Sequence, residues 1–270
     1  MDRHTQLIAK ADIFYHYFRS DANAEARRLY REAIKLNPLL SQPFAELAYA
    51  ELTAWLYNWD PSMTSLDDTL VHAQTAISNE GSDYFSVWVL ADVHLYRREF
   101  DKAKNTYDVV LAMAKEQAIP EEERAIHVDW ADMLLLTGDA KQAISIITSA
   151  IDSNPVVEKW FYWVLGWAYY VDGQYGKSLE ALHHISNPRD AMRKNVIANL
   201  VALNQLDQAS SNARLFLQEQ QAQGIAYNQS GGPVWPAMEK IEDRVPFQDD
   251  KQLALWKQHL EAAFSKQLAP

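Results

Sequence analysis

The chain has 270 residues, 48% of them hydrophobic, a net charge of −11 and no cysteine. The missing thiols exclude disulfides, thiolate catalysis and cysteine-built zinc or iron–sulfur centres. The acidity argues against nucleic acid, whose phosphates call for a basic stripe that no segment here supplies.

Apolar periodicity predicts helices in pairs along the whole chain. The first pair reads 7–19 and 23–36, with Ser20, Asp21 and Asn23 as turn and capping residues. The second reads 41–56 and 65–79, parted by YNWDPSM, where Asn58, Asp60 and Pro61 break the helix. The third is 84–96 and 100–115. The fourth, 121–136 and 140–153, is joined through Gly138-Asp139, a glycine stop followed by a cap. The fifth, 158–171 and 175–185, turns at Asp172-Gly173, and the sixth is 189–203 and 206–221.

A phrase recurs on the second helix of each pair. A small residue is followed four later by an aromatic or apolar one and three after that by another small or apolar one. Ala26, Tyr30, Ala33 and Pro38 spell it, and Ala143, Ile147, Ala150 and Pro155 repeat the spacing. Looser copies begin at Thr69, Ala103, Ser178 and Ala209, so the intervals are 43, 34, 40, 35 and 31 residues. That period belongs to a two-helix repeat. Small residues are needed where two antiparallel helices approach, with a large neighbour filling the remaining hole. Gly166 is the matching small residue on a first helix.

After residue 222 the pattern breaks. Residues 223–248 carry Gly231-Gly232 and three prolines and read as an irregular strap. Residues 249–270 read as a terminal capping helix with Leu253, Trp256, Leu260, Ala263 and Phe264 on one face, as a solenoid end requires.

The phrase and its period resemble those of tetratricopeptide-repeat (TPR) proteins over nearly the whole chain. More narrowly, AEARRLYREAIKLNPL (24–39), HLYRREFDKAKNTYDVVLAMA (94–114), KWFYWVLGWAYYVDGQYGKSLEAL (159–182), NPRDAMRKNVIANLVALNQLDQA (187–209) and PFQDDKQLALWKQHL (246–260) are similar to another group. It is the TPR region C-terminal to bacterial class III adenylate cyclase-type and winged-helix regulator domains. The resemblance implies an all-α fold, a right-handed superhelix of about six helix pairs over 1–222 closed by the C-terminal cap. It also implies a sensory or protein-interaction role. No cyclase or DNA-binding domain is present, so neither activity carries over.

In such a stack the first helices line the concave face. Helical spacing places Trp160, Trp163, Trp167 and Tyr170 on that stripe in the fifth pair, Phe85, Trp88 and Asp92 in the third, Asp132 in the fourth, Tyr49 in the second and Lys194 in the sixth. Aromatic faces beside carboxylates suit a cationic or aromatic–cationic group. The expectation is a non-enzymatic scaffold binding a protein or peptide segment, with basic or aromatic groups, in an aromatic and acidic groove. A small-molecule sensor or accessory subunit using the same groove is the alternative. No cofactor, metal or nucleic acid is expected. The adjacent His183 and His184 point about 100° apart on a helix and make a poor ligand pair. No run of 18 apolar residues occurs, and residues 1–20 hold no signal-like stretch. A cytoplasmic protein without a membrane span is therefore expected.

Overall fold

A computed structural model of the chain describes residues 2–57, 59, 65–117, 120–153, 157–188, 190–222 and 245–264. Thirteen helices form among the described residues, and strands do not. They run in six pairs: α1 (Arg3–His16) with α2 (Ser20–Leu36), α3 (Gln42–Leu56) with α4 (Leu66–Ser78), and α5 (Tyr84–Tyr96) with α6 (Phe100–Glu116). The pairs continue as α7 (Pro120–Leu136) with α8 (Ala140–Asp152), α9 (Lys159–Val171) with α10 (Tyr175–Leu182), and α11 (Asp190–Ala202) with α12 (Leu206–Ala222). The last helix is α13 (Asp250–Phe264). The architecture is all-α and of TPR type.

The chain falls into two compact units, Met1–Pro120 and Glu121–Pro270. In the first, each helix packs on the next and α3 also packs on α5. In the second, successive helices from α8 to α12 pack likewise, α9 touches α11, and α13 packs on α11 and α12. The expected strap lies outside the described residues except for 245–248, as do residues 58 and 60–64 of the enlarged turn and Pro155.

The repeated phrase is core in every copy. Ala26, Tyr30, Ala33, Thr69, Ala73, Ala76, Ala103, Tyr107, Val110, Ala143, Ile147, Ala150, Ser178, Leu182, Ile185, Ala209, Ala213 and Phe216 are all buried. Gly166 shows why size matters there. A Cβ built on it would meet Leu182 Cγ at 2.7 Å, and its carbonyl accepts from Ser178 Oγ at 2.6 Å.

The turns inside the pairs share one backbone device. The residue two beyond the end of the first helix is left-handed in five pairs: Phe18 (φ 49°), Arg98 (61°), Gly138 (104°), Gly173 (75°) and Asn204 (58°). Only two of these are the glycine that this conformation favours. Phe18 is held there by rings, packing on Tyr57 and Trp59 at 5.0 and 5.2 Å between centroids.

The first turn differs from expectation. It spans residues 17–19, and Ser20, Asp21 and Asn23 lie inside α2. Asp2 caps α1 earlier than expected, accepting from Thr5 N at 2.9 Å. Asn23 reads as a cap residue but serves a tertiary purpose: it is buried, and its Nδ2 donates to the Ala50 carbonyl at 3.0 Å. A side-chain amide satisfied across helices no longer competes with the helix backbone.

Candidate interaction surface

In the first unit the first helices bring aromatic rings into a continuous file. Tyr15 on α1 meets Tyr49 on α3 at 5.6 Å, and Tyr49 meets Phe85 on α5 edge-on at 5.7 Å. Tyr15 Oη and Thr53 Oγ1 share a hydrogen bond of 3.0 Å, and burial pushes the Tyr15 hydroxyl up to about 12. Tyr49, Phe85 and Trp88 are all half-buried.

Two carboxyl groups, Glu46 and Asp92, act on Tyr15 of this file, and two more, Asp12 and Asp83, act on Glu46. Asp12 on α1 accepts from the Tyr30 hydroxyl at 2.7 Å, and Asp92 on α5 accepts from Tyr107. Each aspartate sits four residues before the end of its helix, and each tyrosine is the large residue of the repeated phrase. The first and third repeats thus build the same Tyr–Asp bridge. Burial raises Asp92 well above the ordinary carboxylate range, against the lowering effect of Tyr107. Asp83 caps α5, accepting from Ser86 N at 3.1 Å.

Glu46 on α3 is the exception among them. No side chain or backbone donor among the described residues hydrogen-bonds it, and the charges acting on it are Asp12 and Asp83. Burial first, then those carboxylates, push it up to about 8. Burial and two neighbouring carboxylates thus both favour the protonated form of this acid.

In the second unit the tryptophan stripe of α9 divides in two. Trp167 and Tyr170 are not open to a ligand, with exposures of 8% and 1%. The C-terminal segment covers them: Trp256 packs on Trp167 at 4.5 Å and on Tyr170 at 5.4 Å, and Phe247 reaches Trp167 at 5.6 Å. Tyr170 Oη bonds His259 Nδ1 at 2.8 Å, with burial lowering the His259 pKa. Gln248 N donates to the Leu136 carbonyl at 2.9 Å, tying this segment to the end of α7. The groove expected at Trp167 and Tyr170 is therefore core, because an amphipathic helix with an exposed Trp–Leu–Phe face removes more apolar surface from water by lying on it.

Trp160 and Trp163 stay half-buried. Trp160 Nε1 donates to Glu158 at 2.6 Å, whereas the buried Trp163 Nε1 has no partner among the described residues. Asp132 is half-buried on α7, four residues before its end, as Asp12 and Asp92 are in theirs. Lys194 does not stand free for a ligand: its Nζ lies over Phe216 of its own repeat, 5.7 Å from the ring centre. His183 and His184 are exposed, and His184 stacks on Tyr162 at 4.0 Å. Among the described residues no group of three or more His, Asp or Glu could hold a metal, and no helix is long and apolar enough to cross a membrane.

Sequence reasoning missed Glu46, Asp12 and Asp83. Asp12 carries a usable signal, since it shares the register of Asp92 and Asp132. Glu46 carries none, because its state depends on neighbours contributed by α1 and α5.

The sequence matches no protein-family model and no curated protein. In fold the chain is similar to a structure from the functional characterisation of Pseudomonas aeruginosa PilF, with a TM-score of 0.50 and 12% identity, over 83% of this chain and 100% of that one. It is also similar to a tetratricopeptide repeat protein from Parabacteroides merdae, at TM-score 0.40 and 14% identity over 94% of this chain and 98% of that one. Against a chain of Naa15/Naa10 bound to HypK-THB the values are 0.41 and 15%, over 98% of this chain but 34% of that chain. At such identities the first likeness speaks to the fold alone. The class that fold and phrase define is the TPR-type helical repeat protein.

Proposed function

We propose that the chain is a non-enzymatic TPR interaction scaffold that binds a basic segment of a partner protein on the first-helix stripe of its N-terminal unit. The observation that carries this reading is Glu46, a half-buried carboxyl without a hydrogen-bond donor among the described residues, on which Asp12 and Asp83 act and which itself acts on Tyr15, the first ring of the Tyr15–Tyr49–Phe85 file. A lysine or arginine placed there satisfies the acid and lies against ring faces. A charge-assisted hydrogen bond contributes about 1.5–3 kcal/mol and a cation–π contact about 0.5–2 kcal/mol. Trp88, Asp92, Tyr49 and Phe85 belong to this site. The narrower resemblance to the regions that follow cyclase-type and winged-helix regulators fits the same reading, as a sensory or interaction part without catalysis. Asp132, Trp160 and Trp163 remain candidates on the second unit. The unpartnered Trp163 indole N–H is what favours the small-molecule alternative there, since it offers a donor to an acceptor-bearing ligand.

The test is a panel of 15-residue peptides, basic, acidic and neutral at matched apolar content, titrated by fluorescence anisotropy. The expected result is selective binding of basic peptides, weakened by salt and by Phe85→Ala, Glu46→Gln and Asp12→Asn. Equal binding of acidic and basic peptides, or affinities indifferent to all three substitutions, would remove the assignment.

A further inference from the structure

We propose that residues 245–264 are a resident ligand, held in cis, of a helix-binding groove on the second unit. Its occupant in trans is an amphipathic partner helix whose tryptophan, leucine and phenylalanine repeat the spacing of Trp256, Leu260 and Phe264. The segment already follows a ligand's path across successive repeats. Gln248 N meets the Leu136 carbonyl at the end of α7, and Phe247 and Trp256 lie on Trp167 of α9, at 5.6 and 4.5 Å between centroids. His259 stands by Tyr170 of α9 and Tyr175 of α10 at 5.9 and 6.0 Å, and Phe264 meets Phe216 of α12 at 5.7 Å. Anchors four residues apart on one helix face are how a helix reads a groove.

α13 does not sit where a further repeat would put its first helix. α5 packs more extensively on α4 than on α3, and α11 more on α10 than on α9. α13 reverses that order, packing more on α11 than on α12. It lies along the first helices, over the stripe on which helical spacing places Trp167 and Tyr170.

Two features make this occupant exchangeable. The Trp256 side chain is buried, yet its Nε1 has no hydrogen-bond partner among the described residues. A donor buried without a bond costs free energy that is recovered when the ring leaves. The connection 223–249 is also the longest between successive helices, so α13 has chain enough to leave its seat while α12 keeps its place. Its departure uncovers Trp167 and Tyr170 beside the half-buried Trp160 and Trp163, a row of the large rings that anchor interfaces. A tethered occupant competes through its effective concentration, so a partner helix binds weakly until the tethered one is weakened.

The experiment is fluorescence anisotropy of a dye-labelled synthetic peptide of residues 245–264 added to the full chain. The wild-type chain is expected to bind it weakly, and Trp256→Ala in the chain to tighten binding at 1:1 by about tenfold or more (about 1.4 kcal/mol). His259→Ala, which removes the 2.8 Å bond to Tyr170 and keeps the apolar anchors, should tighten it by a smaller factor. Trp256→Ala placed in the peptide, or Trp167→Ala added to the chain, should abolish the gain. Hydrogen exchange on the wild-type chain needs no variant: the amides of α13 should exchange through an opening that leaves those of α9 and α11 protected. Should Trp256→Ala prevent folding, His259→Ala and the exchange decide. No tightening in either folded variant, equal binding of the Trp256→Ala peptide, or exchange of α13 only in step with α9 and α11 overturns the proposal and makes the segment a fixed part of the core.

Discussion

Gly166 and Leu182 share one volume. The leucine is the large residue of the fifth copy of the phrase, and it lies where a Gly166 side chain would stand. Gly166→Ala should cost about 1–3 kcal/mol, the usual range for overpacking a filled core, read as a lower urea midpoint. Gly166→Ala with Leu182→Val should recover part of that loss, since the clash falls on the leucine's branched end. An unchanged midpoint in the single variant would mean that the two helices separate without cost. At the same scale, the phrase tyrosines explain why a solenoid core tolerates a hydroxyl: Tyr30 and Tyr107 are buried, and each finds a carboxylate on the first helix. A buried hydroxyl without such a partner would cost about 1–3 kcal/mol.

Among the elements, α13 has the least generic role. Its buried face of Trp256, Leu260, Ala263 and Phe264 packs on α11 and α12, and Trp256 extends to the rings of α9. Trp256→Ala should destabilise the second unit by about 3–5 kcal/mol and unquench or shift Trp167 emission, measured by urea unfolding followed through fluorescence. A loss under about 1 kcal/mol would show that the cap is dispensable to the fold. Helix pairing and the cap's apolar face were legible in sequence, because both depend on spacing along one helix. Where the cap lies was not: Trp163 and Trp167 share a stripe on α9, and only a tertiary partner separates the half-buried ring from the buried one. The turns show the same limit. Gly138 and Gly173 announce a left-handed residue, whereas Phe18, Arg98 and Asn204 take that conformation with no glycine to mark it.

Across the whole molecule, the net charge of −11 is not spread evenly in kind. Many acids sit on helix surfaces beside arginines, as Arg28 does between Glu25 and Glu32, and such pairs contribute little to stability. In the N-terminal unit Asp12 and Asp83 act on Glu46, and Glu46 and Asp92 on Tyr15, with no cation acting on Glu46. Sequence spacing found the rings and one of these four acids. Asp12 shares that acid's register and went unread, whereas Glu46 depends on the fold, which brings the neighbours from α1 and α5 to α3. The central claim, that this unit binds a basic segment at Glu46, is tested most directly by the pH dependence of that binding. Glu46 is pushed up to about 8, and a cation favours its ionised form, so binding below that pH must expel a proton. The dissociation constant of a basic peptide should fall as pH rises from about 6.5 toward 8, by at most about tenfold per unit for one proton, and level off above it. Glu46→Gln should remove most of that slope. A dissociation constant that stays constant with pH, or that keeps the same slope in Glu46→Gln, would contradict the account.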